Sequence, residues 1–209
     1  VRIDHFRGLD RYYEIYAGEE TAVNGAWQDG PKDELFEGVD LSRIIAEDLG
    51  EMDDGVRSLI RRTGLPGMKV LLFAFDGDED NAFLPHNIHE NSVCYTGTHD
   101  NDTVAGYVKS LTAEEFLLLR SRVAKELDLV GMNIRIGQTP ERFAKTLTEI
   151  AMASSADLAV VPVQDLMGLD NACRMNHPGT NDGNWCWRLK KLPSANVFGR
   201  LKHLIRKYR

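Results

Sequence analysis

The sequence is short of cysteine, of long apolar runs and of positive charge, and each shortage excludes a class of protein. Its three cysteines cannot all pair within one chain and none lies in a C-x-x-C spacing, which favours a reducing compartment and argues against structural zinc. The longest apolar runs, 70–75 and 158–163, are too short to span a bilayer. The formal net charge of −7 argues against a nucleic-acid partner. With no recognisable signal peptide, we expect a cytoplasmic protein that binds neither membrane nor nucleic acid.

Motifs that mark several enzyme classes are also missing. The sequence has no phosphate-binding P-loop, no G-x-G-x-x-G dinucleotide fingerprint and no G-x-S-x-G nucleophile turn. The loop that begins at Asp76 resembles a calcium-binding loop, but its sixth residue is Asn81 instead of Gly and its twelfth is Asn87 instead of Glu. We interpret His86 and His89, which flank two residues of a Pro-containing loop, as surface residues and not as metal ligands.

What is present is the composition and alternation of an α/β protein. Apolar residues make up 43% of the 209 residues and charged residues 27%, which are ordinary globular values. Strand patterns at 1–3, 43–46, 68–75, 92–98 and 157–163 alternate with helix patterns at 54–63, 112–129, 139–153 and 195–209. We expect the Gly- and aromatic-rich stretch 6–31 to be a long loop. The alternation predicts an α/β fold with parallel strands and right-handed crossovers, although a closed barrel would need eight strands.

Three carboxylates stand where a predicted strand ends, at Asp4, Glu47 and Asp100. The carboxyl ends of parallel strands meet at one edge of a sheet, so these groups can converge although they lie far apart in sequence. Cleavage of a glycosidic bond uses such a set, because one carboxylate attacks the anomeric carbon while a second protonates the leaving oxygen. A third can stabilise the cationic transition state. A structural role in capping a strand end stays open for each of the three.

A metal site is the main competing interpretation of the same residues. Histidine adjoins two of the carboxylates, at His5 and His99, and Asp102 follows closely, so that a hydrolase-type site for zinc or a hard ion is conceivable. Against it, the histidines do not recur at the i,i+4 spacing of a helix. The neighbouring Thr98 and Asn101 also suit sugar hydroxyls.

Aromatic residues have two interpretations as well. Tyr12, Tyr13 and Trp27 are either core residues or exposed platforms for sugar rings. Trp185 and Trp187 lie two residues apart, a spacing that would place both rings on one face if the segment were a strand.

Seven stretches together give the chain a family resemblance. They are 2–9 (RIDHFRGL), 17–25, 44–50 (IIAEDLG), 66–71, 95–103 (YTGTHDNDT), 174–180 (RMNHPGT) and 183–188. In sequence and order they resemble the 4-alpha-glucanotransferases, also called amylomaltases or disproportionating enzymes, of glycoside hydrolase family 77. The resemblance covers essentially the whole chain.

The resemblance implies an architecture larger than this chain. It implies a (β/α)8 TIM-type barrel in which residues 1–209 supply barrel strands four to eight, with a helical segment at 110–155 between barrel strands seven and eight. The family's N-terminal barrel strands and subdomains have no counterpart here, and the segment 37–43 is shorter than the family's helix before barrel strand five. We therefore expect these residues to be the C-terminal part of a larger enzyme whose N-terminal half is their partner.

The resemblance also implies roles for eight residues. Asp4 would be the nucleophile, Glu47 the general acid/base and Asp100 the transition-state stabiliser. Arg2 would keep the nucleophile ionised, and His5, Asp48, His99 and Asn176 would bind the sugar.

The implied reaction is a retaining transfer of α-1,4-glucan segments between maltooligosaccharides through a covalent glucosyl-enzyme, without a metal or organic cofactor. Retention predicts that the carboxyl groups of Asp4 and Glu47 lie roughly 5–5.5 Å apart. An α-glucan hydrolase and a non-catalytic glucan-binding or assembly fragment are the alternatives.

Overall fold

A computed structural model describes residues 1–50 and 52–209. The chain folds as two compact units, one of Val1–Met68 with Asn91–Val93 and the other of Lys69–Glu90 with Cys94–Arg209. Both contain helices and strands, as predicted for an α/β protein. No helix within the described residues is long and apolar enough to cross a membrane.

Parallel pairing organises the first unit. Strand β1 (Arg2–Ile3) pairs in parallel with β4 (Ile45–Ala46), with Arg2 opposite Ile45. Helix α1 (Asp54–Thr63) coincides with its prediction, because the Asp53 side chain caps its first turn and Gly64 ends it in a left-handed conformation. The buried core of this unit consists of Phe6, Phe36, Ala46, Val56, Leu59 and Leu65.

The prediction of a long loop at 6–31 is wrong, because the segment contains an antiparallel hairpin. Its strands are β2 (Arg11–Glu14) and β3 (Ala26–Asp29), in which Tyr13 lies opposite Trp27. The two rings pack edge to face with centroids 5.4 Å apart. Neither strand shows a simple apolar alternation, so the stabilising contact is a cross-strand aromatic pair that only the folded hairpin brings together.

Three further strands form a sheet in the order β5, β6, β7, namely Gly67–Val70, Ser92–Tyr95 and Leu158–Val160. All three are shorter than the predicted strands at 68–75, 92–98 and 157–163, and two of the predicted strands run into a helical turn. After Val70 the chain turns through a 3-10 helix at Leu71–Phe73, and after Pro162 it forms α5 (Val163–Met167) instead of a continued strand. A continuous apolar run does not distinguish a buried strand from a buried helical turn, which explains both errors.

The second unit is mainly helical. Helices α3 (Ala113–Leu129) and α4 (Pro140–Ala153) form as predicted, and α3 begins with the predicted capping box between Thr112 and Glu115. Helix α6 (Ala195–Tyr208) ends the chain. The unpredicted helix α2 (Val104–Ser110) packs against α4, and its apolar residues join the large buried core of this unit.

Candidate active site

The first unit carries an exposed carboxylate directly after β1. Asp4 follows Ile3, and its side chain is 75% exposed. The Arg2 guanidinium Nη1 lies 2.8 Å from the Asp4 carboxylate Oδ1 and is mostly buried. Arg2 lies in β1 and Asp4 is the first residue after it, so this ion pair joins the strand to the turn that follows. The implied role of Arg2, to keep Asp4 ionised, stays a prediction.

Glu47 follows β4, the strand that pairs with β1, and its side chain hydrogen-bonds to the backbone of His5, the residue after Asp4. One of its carboxylate oxygens accepts a hydrogen bond from the backbone N–H of His5 at 2.8 Å, and the other accepts from the N–H of Leu49 at 2.9 Å. His5 has a left-handed backbone conformation, with φ of 49°, which is uncommon for a residue other than Gly and concentrates at functional sites. This turn orients the His5 N–H toward Glu47.

Asp48, a predicted sugar ligand, is engaged with the protein. Its Oδ1 accepts a hydrogen bond from the backbone N–H of Met68 at 2.6 Å. A Cβ atom on Gly67 would lie only 2.3 Å from Asp48 Oδ2, so glycine is what permits this close approach. Asp48 therefore links the end of β4 to the start of β5.

In the second unit, His99, Asp100 and Asn176 lie in contact with one another, while their implied roles as transition-state stabiliser (Asp100) and sugar ligands (His99, Asn176) stay predictions. The Asn176 side-chain amide donates to Asp100 Oδ1 at 2.6 Å, and His99 Nε2 lies 3.1 Å from Asp100 Oδ2. The backbone N–H of Asn176 donates to the carbonyl of His99 at 3.2 Å. Both oxygens of Asp100 are thus oriented, while 47% of its side chain remains exposed.

Comparison with known families identifies the family of this chain. A sequence profile of the family described as 4-alpha-glucanotransferase matches residues 1–194. The chain belongs to the 4-alpha-glucanotransferase family.

Curated relatives in this family are considerably longer than the chain. A 4-alpha-glucanotransferase of Thermus thermophilus is 45% identical over 195 residues, which are 90% of this chain and 38% of that protein. A chloroplastic/amyloplastic 4-alpha-glucanotransferase of Solanum tuberosum is 42% identical over 212 residues, which are 100% of this chain and 34% of that protein. The chain therefore spans little more than a third of the length of these relatives.

Solved structures show the same relationship. The amylomaltase from Streptococcus agalactiae in complex with acarbose superposes with a TM-score of 0.84 at 33% identity, over 99% of this chain and 41% of that one. The amylomaltase from Corynebacterium glutamicum has a TM-score of 0.71 over 99% of this chain and 35% of that one. At 19% identity, the second shows a shared fold only.

Three residues near the loop of His99 and Asp100 were not among the predicted site residues, although the sequence analysis named one of them, Trp185, for its spacing from Trp187. The ring centroid of Trp185 lies 4.9 Å from that of His99. Trp185 has a left-handed backbone φ of 61°, and its backbone N–H donates to the Met175 carbonyl at 2.6 Å. Arg174 forms an ion pair with Asp102. Both lie in motifs that carry the family resemblance, but the contacts of Trp185 with His99 and of Arg174 with Asp102 join residues more than seventy positions apart and leave no local signal.

The third residue, Asp165 in α5, hydrogen-bonds to residues on both sides of the loop that contains His99 and Asp100. It accepts hydrogen bonds from the Thr96 hydroxyl at 2.6 Å and from the Val104 N–H at 2.8 Å. Burial raises the pKa of the Asp165 carboxyl above its ordinary value, although both hydrogen bonds oppose the shift. The strand predicted at 157–163 ends before Asp165, and the sequence analysis predicted no element for the residues that form the rest of α5. A cavity of about 190 Å³ lies beside Asp165 and His99, and its lining also includes Asp102, Gln164 and Arg174.

The remaining motifs have other surroundings. His86 lies 2.9 Å from both oxygens of the buried Glu126, at a cavity of about 510 Å³ that contains neither Asp4 nor Asp100 in its lining. Within residues 1–50 and 52–209, no group of three or more His, Cys, Asp or Glu side chains has the arrangement of a metal site. The segment that holds Trp185 and Trp187 forms no strand, so the predicted common face does not arise.

Proposed function

We propose that this chain is part of a 4-alpha-glucanotransferase that transfers α-1,4-glucan segments between maltooligosaccharides, with Asp4, Glu47 and Asp100 acting in one reaction. The observation that carries the proposal is the joint placement of two carboxylates by one pair of parallel strands. Glu47 accepts the N–H of His5, the residue next to Asp4. Acids brought to the ends of adjacent parallel strands are the pair that retaining glycoside chemistry requires.

The proposed reaction proceeds in two displacements. The Asp4 carboxylate attacks the anomeric carbon while Glu47 donates a proton to the departing glycosidic oxygen, which leaves as the 4-hydroxyl of the released glucan. The enzyme then holds the donor glucan as an ester. In the second displacement, Glu47 accepts the proton of an acceptor's 4-hydroxyl as that oxygen attacks the anomeric carbon and frees Asp4.

Charge placement gives the other residues their proposed roles. Arg2 stabilises the carboxylate form of Asp4 between turnovers, since an adjacent guanidinium favours the anion. The half-exposed Asp100 stabilises the positive charge that develops on the sugar in each transition state. His5, His99, Asp48 and Asn176 bind sugar hydroxyls. A relative of 33% identity was solved in complex with acarbose, which supports an α-glucan-like ligand for this chain.

The proposed architecture follows the length comparison. We assign residues 1–209 to barrel strands four to eight of a (β/α)8 barrel, with the helical segment 110–155 between barrel strands seven and eight, and assign the remaining strands to the N-terminal part of the polypeptide. The free state of Cys94, Cys173 and Cys186 supports a cytoplasmic location.

Product analysis tests the activity directly. The full-length polypeptide that contains this chain, incubated with maltotriose, should release glucose and form maltopentaose and longer chains. Asp4→Asn should lower turnover by roughly 10⁴-fold or more while leaving glucan affinity in place, because it removes the nucleophile. Asp29→Asn is the matched control, since Asp29 is equally exposed and also adjoins an arginine, yet lies on the hairpin. Products no longer than maltotriose would support a hydrolase, and an inactive wild type would support a binding fragment.

A further inference from the structure

Arg174 contacts the two residues that meet at the second-unit site. Its side chain is only 17% exposed, and all three nitrogens of its guanidinium form contacts. Nη2 donates to the backbone carbonyl of Asp100 at 2.6 Å, Nε donates to the backbone carbonyl of Asn176 at 2.8 Å, and Nη1 forms the ion pair with the Asp102 carboxylate. Nothing assigned so far to the reaction accounts for this arrangement.

The two carbonyls belong to the partners of one side-chain hydrogen bond. Asn176 Nδ2 donates to Asp100 Oδ1, so Arg174 holds the backbone at both ends of that bond. A movement of either backbone segment would lengthen the bond and rotate the Asp100 carboxylate. The guanidinium therefore fixes the orientation of a side chain that it does not itself touch.

The backbone around Arg174 is also held by contacts that do not involve Asp100. Its backbone N–H donates to the Asn171 carbonyl at 3.1 Å, and the preceding carbonyl, of Cys173, accepts from the Gln164 side chain at 3.1 Å. Asn171 in turn accepts from the N–H of Thr103, the residue that caps α2. These contacts connect Arg174 to helices α2 and α5, which form a firm support for the loop that contains Asp100.

Only arginine fits this arrangement. A planar guanidinium presents donors in a fixed fork, so it can satisfy two carbonyls and a carboxylate in different directions at once. Lysine carries one ammonium group at the end of a flexible stem and would retain the charge opposite Asp102 without spanning both carbonyls.

We propose that Arg174 is a positioning residue for glucan transfer, which acts through Asp100 by fixing the Asp100–Asn176 hydrogen bond. This role rests on the proposed function, since Asp100 is the group that stabilises the transition state. Loss of Arg174 should lower kcat far more than it raises KM, because a misplaced Asp100 weakens an interaction that matters most in the transition state.

A double-mutant cycle in the full-length polypeptide separates positioning from general damage. Arg174→Met and Arg174→Lys should each lower kcat, the methionine variant by about 100-fold. In an Asp100→Asn background, Arg174→Met should cause almost no further loss, because the group through which it acts is already removed. Arg122→Met is the matched control, since Arg122 donates to the Phe75 carbonyl in the same unit and should leave kcat unchanged. Equal fold losses in both backgrounds, or no loss in either, would overturn the role.

A spectroscopic readout keeps this role distinct from the proposed function. With selective ¹⁵N-asparagine labelling, the side-chain amide signal of Asn176, assigned by its absence in Asn176→Ser, should shift in Arg174→Met and stay in place in Arg122→Met. An unmoved signal in Arg174→Met would overturn the positioning role whatever the activity. A wild type without transfer, together with a shifted signal, would overturn the proposed function and show that Arg174 positions Asp100 for another purpose.

Discussion

Asn176 and Asp100 lie 76 positions apart and are joined by a hydrogen bond of 2.6 Å from the side-chain amide to the carboxylate. His99 adjoins the other carboxylate oxygen, so the orientation of Asp100 is set by groups on two separate segments of the second unit. An acid that stabilises a transient charge has to be oriented before the charge forms, since reorientation during the reaction would cost free energy. The contacts around Asp100 meet this requirement.

Two helical glycines should respond oppositely to the same substitution. A Cβ on Gly106 in α2 would lie 2.0 Å from Asn171 Oδ1, the oxygen that accepts from the Thr103 N–H, whereas a Cβ on Gly199 in α6 would meet nothing within 4 Å. Gly106→Ala should lower the free energy of unfolding by about 1–3 kcal/mol through this clash. Gly199→Ala should raise it by about 0.5–1 kcal/mol, because alanine is the better helix former. Denaturant unfolding of both variants measures the difference, and a stabilised Gly106→Ala would contradict the packing of α2.

Protonation of Asp165 should stabilise the folded state at acidic pH. Burial raises the pKa of this carboxyl above its ordinary value of 3.8, so the folded state prefers the protonated group. Its contribution to stability is therefore present below 3.8 and is lost as the pH rises through the higher pKa of the folded state. The difference in unfolding free energy between wild type and Asp165→Asn should fall as the pH rises over this interval. A difference that grows with pH would show that the two hydrogen bonds outweigh the desolvation of this carboxyl, which would contradict the raised pKa.

Cysteine reactivity should follow burial. Cys94 is fully buried, and desolvation raises the pKa of its thiol to about 11, so the reactive thiolate is scarce at neutral pH. Cys186 is exposed. A thiol reagent applied to the folded protein should modify Cys186 rapidly and Cys94 only after unfolding, as mapped by mass spectrometry of peptides. Rapid modification of Cys94 in the folded protein would contradict the placement of β6 in the core.

Local signals in the sequence were sufficient for the elements that begin and end with capping residues. The Thr112 and Glu115 box and the Gly64 stop predicted α3 and the end of α1, because these interactions form within a single turn. The β2–β3 hairpin could not be predicted in the same way. Its stability comes from the Tyr13–Trp27 pair, which exists only after two segments with no clear alternation have met.

The candidate site likewise contains residues that the sequence indicates and residues that it does not. Each of the three acids was visible as a carboxylate that follows a predicted strand, whereas the pairing of Arg2 with Asp4 was implied only by the family resemblance. The contacts of Arg174 with Asp100 and Asp102 cross more than seventy positions, and no residue pattern near Arg174 indicates them. Sequence reasoning thus proposed the three acids together with His99 and Asn176, but it did not find Arg174, which contacts the backbone of both Asp100 and Asn176.

Trapping of the covalent intermediate tests the central claim most directly. In Glu47→Gln, α-maltotriosyl fluoride should still react with Asp4, because fluoride leaves without protonation, whereas no base remains to activate the acceptor hydroxyl. The intermediate should therefore accumulate, and the peptide that contains Asp4 should carry the mass of one maltotriosyl group. The double variant with Asp4→Asn is the control and should carry none. A maltotriosyl group on another residue, or none on Asp4 while the fluoride is consumed, would contradict the account.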